Sequence, residues 1–143
     1  MEKITINLDF DGTCVTHDYP RTGNDIGAQK VLKKLTDNGH QLILFTMRSN
    51  AKFTRLDGTI ETTGLTDALK WFKRHDIPLY GIQTHPEQKT WTESPKSYAQ
   101  LMIDDSALGC PLTFDKTLST RPFVDWVRVE EMLIEMKLIK KDE

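Results

Sequence analysis

The sequence predicts a three-layer α/β fold, a mostly parallel sheet between layers of helix. Short apolar runs of strand length alternate with segments whose apolar residues recur at helical spacing. The run at 41–45 is apolar almost throughout, as in strands covered on both faces. Residues capable of chemistry gather where these runs end, the edge at which open α/β sheets bind ligands.

The elements follow in order. Residues 3–8 alternate and end in an aspartate, which predicts the first strand. Residues 12–26 are rich in turn formers and predict a loop. Ala28, Val31, Leu32 and Leu35 recur at helical spacing, so 28–38 predicts a helix that Gly39 stops. The second strand is 41–45. Asp57-Gly58 marks a hairpin turn within 53–60. Residues 66–74 predict a second helix, through Ala68, Leu69, Trp71 and Phe72. Pro78 resets the chain before a short strand at 79–82, and a polar loop spans 83–97. Residues 98–103 lead into a fourth strand, with another short one near 112–114. The terminal helix is expected over 124–139, its apolar face drawn from Val124, Val127, Met132, Leu133, Met136 and Leu138. Right-handed crossovers then place helices on both faces of the sheet.

The chain has 143 residues, enough for one domain over 1–143 with a real core. Hydrophobic residues at 38% and charged residues at 28% exclude a disordered or fibrous class. Nineteen basic against 21 acidic residues, net charge −2, give no footprint for nucleic acid. An acidic small substrate stays compatible, because a local site can be positive when the whole is not. No apolar stretch approaches the roughly 20 residues that span a bilayer. Met1-Glu2-Lys3 leads straight into a strand, so no signal peptide is read. Cys14 and Cys110 have no CxxC spacing, which speaks against a disulfide framework or zinc site and makes a cytoplasmic location the expectation.

The chemistry concentrates in Asp9-Phe10-Asp11-Gly12-Thr13. Residues two apart on an extended segment point the same way, so Asp9 and Asp11 address one site while Gly12 lets the chain turn. Asp104 and Asp105, at the end of the fourth strand, complete a four-carboxylate cluster that suits a hard cation such as Mg²⁺. If Asp11 keeps a proton, one Mg²⁺ and one lysine neutralise the other three carboxylates. Such a pocket accepts a phosphoryl group of about −1.5 to −2 charges. Lys89 and Lys96, in the loop before the fourth strand, are the candidate lysines.

These segments, Asp9 to Thr13, then Phe45-Thr46, then Lys96, then Ile103-Asp104-Asp105, resemble the four ordered motifs of the haloacid dehalogenase-like (HAD) superfamily phosphatases, over residues 3 to about 114. The resemblance implies a Rossmann-like αβα fold and a phosphomonoesterase that works through an aspartyl-phosphate. It makes Asp9 the nucleophile and Asp11 the acid and then base. Thr46 and Lys96 stabilise the phosphoryl group, with Gly12 and Thr13 in the same phosphate-binding set. Arg48, after the second strand, reads either as a further phosphate ligand or as a surface or ion-paired arginine. Mg²⁺ is held by Asp9, Asp104 and the Asp11 carbonyl, with Asp105 acting directly or through water. An acid two residues after the nucleophile marks the phosphatases within this superfamily.

The stretch from Asp11 to Thr46 is filled by a loop and helix, and that from Thr46 to Lys96 by a hairpin, helix, strand and loop. Neither leaves room for a full cap domain. Residues 14–26, 49–60 and 84–95 are candidate flaps. Capless members resemble enzymes that take large substrates or use a neighbouring subunit as a lid, so a homo-oligomer is one expected partner. A phosphorylated small molecule is the expected substrate. The alternatives are a phosphate- or metal-binding regulatory module with little turnover, and a polynucleotide-end phosphatase, which the lack of a basic stripe disfavours. Asp57-Gly58-Thr59 copies part of the motif, but it has no apolar strand before it and Arg55 stands at the nucleophile position. It reads as a hairpin turn. His17, His40, His75 and His85 show no ligand spacing and read as surface or turn residues, with His17 and His85 in candidate flaps. Cys14 reads as a packed thiol, and Trp91 as a pocket wall or a loop anchor.

Overall fold

The computed structural model describes residues 2–142; Met1 and Glu143, part of the expected domain 1–143, lie outside them. The elements run β1 (Thr5–Leu8), α1 (Ala28–Asp37), β2 (Gln41–Leu44), β3 (Phe53–Thr54), β4 (Ile60–Glu61), α2 (Gly64–Arg74), β5 (Gly81–Ile82), a 3-10 turn at Gln88–Thr90, β6 (Leu101–Ile103), β7 (Leu112–Thr113), β8 (Phe123–Val124) and α3 (Trp126–Glu135). Four strands form one parallel sheet in the order β5-β2-β1-β6. The fold is α/β, Rossmann-like and three-layered, as the alternation of apolar runs predicts.

Pleating decides what each face of the sheet meets. Ile6 and Leu8 of β1, with Leu42 and Leu44 of β2, join the buried cluster of all three helices. The α1 stripe of Ala28, Val31, Leu32 and Leu35 is buried as its spacing predicts, and α2 contributes Ala68, Trp71 and Phe72. On the opposite face Asn7 is buried against the returning crossover. Its Nδ2 donates to the Ser97 carbonyl at 3.0 Å and its Oδ1 accepts from Ser97 Oγ at 2.8 Å. The helical content of that layer is the single 3-10 turn in the crossover, so the expectation of helices on both faces is corrected: the three α-helices share one face.

The strands at 3–8, 79–82 and 98–103 are shorter than expected, and α2 begins two residues early at Gly64. The terminal segment differs most. Val124 belongs to β8, paired with β7, rather than to a helix. The Asp125 side chain accepts the Arg128 N–H at 3.2 Å and so caps α3 at Trp126. That start turns Trp126, Val129 and Leu133 inward, and leaves Val127 and Met136 exposed instead of on the apolar face. Leu138 is buried, but beyond the helix end. His40 and His85 are buried rather than surface residues. His40 links the start of β1 to the C-terminal tail, accepting at Nδ1 from the Ile4 N–H and pairing through Nε2 with the Leu138 carbonyl at 2.7 Å. The 53–60 segment is the expected hairpin. Gly58 at φ 88° makes the turn and Asp57 accepts the Thr59 N–H at 2.9 Å.

The order places the site. From β1 the chain moves to β2 and β5 on one side, then crosses back to β6 on the other. The crevice at such a reversal lies at the carboxyl ends of the two central strands. Leu8 stands in register with Ile103, and the Asp9 N–H donates to the Ile103 carbonyl at 3.0 Å. The first motif and Asp104-Asp105 therefore emerge side by side.

Candidate active site

Phe10 turns inward to pack edge-on against Trp71, ring centroids 5.7 Å apart. Alternation then sends Asp9 and Asp11 the other way. The Phe10 carbonyl accepts the N–H groups of Thr13 and Cys14, which closes a tight turn. From the C-terminal segment, the Val124 N–H donates to the Gly12 carbonyl at 3.0 Å and Trp126 Nε1 to the Thr13 carbonyl at 2.7 Å. The core thus clamps the motif from behind.

Gly12 has φ +80°, and a Cβ there would lie 2.0 Å from His17 Nε2 and 2.6 Å from Asp105 Oδ2. The backbone favours glycine, and a Cβ would displace the His17 ring and the Asp105 carboxylate. Gly12→Ala is expected to cost about 2 kcal/mol or more of stability. Urea unfolding checks this.

Asp9, Asp104 and Asp105 each offer a carboxylate oxygen, and these atoms lie within 4.8 Å of one another. Asp9 Oδ2 accepts from Thr13 Oγ1 at 2.8 Å, and Thr13 Oγ1 in turn accepts the Asp105 N–H at 3.0 Å. Burial pushes the Asp9 carboxyl from 3.8 up to about 8, and the nearby charge of Asp104 adds to this, while the Thr13 hydrogen bond opposes it. Three carboxylates crowded this closely repel one another unless a cation lies among them. Three oxygen donors from two strand ends suit a hard cation.

The remaining expected site residues divide. Asp11 stands apart from this triad: both its oxygens accept from Arg48, Nε at 2.9 Å and Nη2 at 2.8 Å. Arg48, open to reading as a phosphate ligand or an ion-paired arginine, is the ion-paired one; it is buried and spends its other N–H groups on the carbonyls of Pro20, Arg21 and Gly64. A guanidinium has five N–H groups and these contacts use them all. Its plane also lies against Phe10 and Tyr19, 5.1 and 5.0 Å from their ring centroids. Thr13 and Gly12 are buried in the turn, and the Thr13 hydroxyl positions Asp9. Thr46 stands in the loop after β2, where its hydroxyl accepts the Arg48 N–H at 3.1 Å and keeps its own proton to donate. Lys96 and Lys89 are both exposed, and neither is among the groups that set the Asp9 proton affinity.

Three contributors went unassigned by sequence. His17 Nε2 sits 2.7 Å from Asp105 Oδ2, so it orients that carboxylate. Gln83 frames Thr46, accepting its N–H at 3.0 Å and donating to its carbonyl at 2.7 Å. Tyr19 covers Arg48. None lies in a periodic segment; the only cue was that His17 and Tyr19 fall in the loop directly after the motif. The 83–97 loop is held by His85, whose ring packs edge-on with Tyr80, Trp91 and Tyr98. Trp91 is therefore a loop anchor. Cys14 is buried, and burial raises its thiol well above the ordinary range, so it is a packed thiol.

No protein-family model and no curated protein match the chain. The solved structure of a conserved protein from Bacteroides thetaiotaomicron matches it with a TM-score of 0.70 and 31% sequence identity, over 94% of this chain and 93% of that one. No helix among the described residues is long and apolar enough to cross a membrane.

Proposed function

The chain belongs to the family of that conserved Bacteroides thetaiotaomicron protein, and from the site its fold assembles we propose that it is a Mg²⁺-dependent phosphomonoesterase of the HAD type. The observation that supports this reading most is the convergence of Asp9, Asp104 and Asp105 at the strand reversal. Asp9 and Asp104 would hold the cation, with Asp105 behind them, fixed by His17 and Thr13. Bound there, Mg²⁺ would supply charge to offset that of the phosphoryl group and restore Asp9 to its ionised form.

The chain's own residues divide the work. An Asp9 oxygen attacks phosphorus, the bond to the ester oxygen breaks, and an aspartyl-phosphate forms as the alcohol leaves. Water then attacks the same phosphorus and returns Asp9 and inorganic phosphate. Thr13 aims the Asp9 carboxylate. Thr46 has a hydroxyl proton to donate to a phosphoryl oxygen. Asp11 is the acid and then the base. A carboxylic acid keeps acceptor lone pairs on both oxygens while it donates its proton, so Asp11 serves the ester oxygen while it stays paired with Arg48. Lys96 would have to swing in from the surface to add its charge.

The Asp11–Arg48 pair favours a second reading, a phosphate- or metal-binding module with little turnover. Hydrolysis of p-nitrophenyl phosphate separates the two. The expected outcome is turnover with Mg²⁺ that chelator abolishes and Mg²⁺ restores. Turnover that survives chelation sinks the metal-assisted mechanism. Mg²⁺ binding without turnover on a broad panel of phosphate esters favours the module.

A further inference from the structure

A cleft of about 390 Å³ is lined by Asp11, two residues along the chain from Asp9, and by Tyr19, Met47, Arg48 and Phe53. Its walls come from two of the candidate flaps and from the loop after β2. The Tyr19 and Phe53 rings meet edge to face, centroids 5.3 Å apart. Met47 is 99% exposed, and Tyr19 and Phe53 are exposed as well. Large apolar side chains left in water around one cleft mark a surface that a ligand covers.

The charges in this cleft are already matched. Asp11 is paired with Arg48, and Arg48 has no N–H group left to offer. A second carboxylate or phosphate on a substrate finds no free cation among the lining residues. A flat apolar group finds two aromatic edges and a thioether.

We propose that this cleft is the leaving-group subsite, and that the substrate class is a monophosphate ester of an uncharged aromatic alcohol. The inference rests on the phosphatase reading. The phosphoryl group sits at Asp9, and the ester extends past Asp11 into the space between Tyr19, Met47 and Phe53.

The test compares kcat/KM for benzyl phosphate and glycerol 3-phosphate in Mg²⁺, two primary-alcohol esters that differ in apolar content. The wild-type protein is expected to favour the benzyl ester by at least about tenfold. The double variant Met47→Ser/Phe53→Ser is expected to lower that ratio to about threefold or less. Leu108→Ser, an equally exposed apolar residue on a different cavity, should keep the wild-type ratio. A wild-type ratio near one, or a ratio unchanged in the double variant, overturns the subsite and leaves the phosphatase reading standing. If neither ester nor any of the broad phosphate-ester panel is hydrolysed, the phosphatase reading fails. The cleft is then tested by calorimetry with benzylphosphonate and methylphosphonate in Mg²⁺. Tighter benzylphosphonate binding upholds an apolar ligand subsite, and equal or absent binding overturns it.

Discussion

Asp9→Asn is expected to lower turnover by at least about a thousandfold, because the amide cannot form the aspartyl-phosphate. The same substitution is expected to stabilise the protein when no metal is added. The Asp9 carboxyl rises from 3.8 to about 8 in the folded state. The unfolded chain gives up that proton near 4, whereas the folded protein holds it to about 8. The charge therefore costs nothing below about pH 4, costs progressively more as pH rises, and costs its full amount above about 8. Asparagine removes the cost. In chelator, the Tm advantage of Asp9→Asn over wild type should grow from pH 5 to pH 8 and reach roughly 5 °C. Adding Mg²⁺ should raise the wild-type Tm more than that of the variant. Loss of activity together with loss of stability would mean that Asp9 is a structural residue.

Arg48→Met is expected to produce the largest loss of stability, about 3 kcal/mol or more. Arg48 is buried and ties Asp11 to the carbonyls of Pro20, Arg21 and Gly64. Methionine fills the space between Phe10 and Tyr19 but donates nothing. Asp11 is then left half-buried without its cation, and three carbonyls lose a donor. The loop around Pro20 and Arg21 loses its tie to the start of α2, so limited proteolysis should cut it first. Asp11→Asn alone should also destabilise, since it leaves a guanidinium buried without a counter-charge. The double variant Asp11→Asn/Arg48→Met should cost less than the sum of the two, as measured by urea unfolding, because one interaction is removed twice. Strict additivity would show that the pair does not act as a unit. Asp11→Asn should slow turnover and spare Mg²⁺ binding, since its side chain lies outside the triad.

The reach of the sequence follows from what each part of the chain uses as information. The α1 stripe and the 41–45 run are decided by periodic burial, which residue spacing carries directly. The meeting of Asp9 with Asp104 and Asp105 was legible because strand-end position and chain order are both readable. For Arg48 the sequence leaves phosphate ligand and ion-paired arginine equally open, and the structure shows the ion pair. A lone arginine after a strand has the same appearance whether it faces a phosphate or is enclosed by a loop that folds over it, and that loop carries no periodicity. His17 was hidden for the same reason. Lys96 was placed by motif order, which fixes its neighbourhood in the chain but not the direction of a long exposed side chain. In α3, one capping aspartate shifted the start and so changed which residues face the core, a change that hydrophobic spacing alone does not register.

The nucleophilic role of Asp9 is tested most directly by trapping. Single-turnover reaction with a phosphate monoester in Mg²⁺, quenched in acid and reduced with borohydride, converts an aspartyl-phosphate to homoserine. Peptide mass spectrometry should then find homoserine at position 9, dependent on both substrate and Mg²⁺. Intact Asp9 throughout, in a preparation that turns over under the same conditions, would contradict covalent catalysis at this residue.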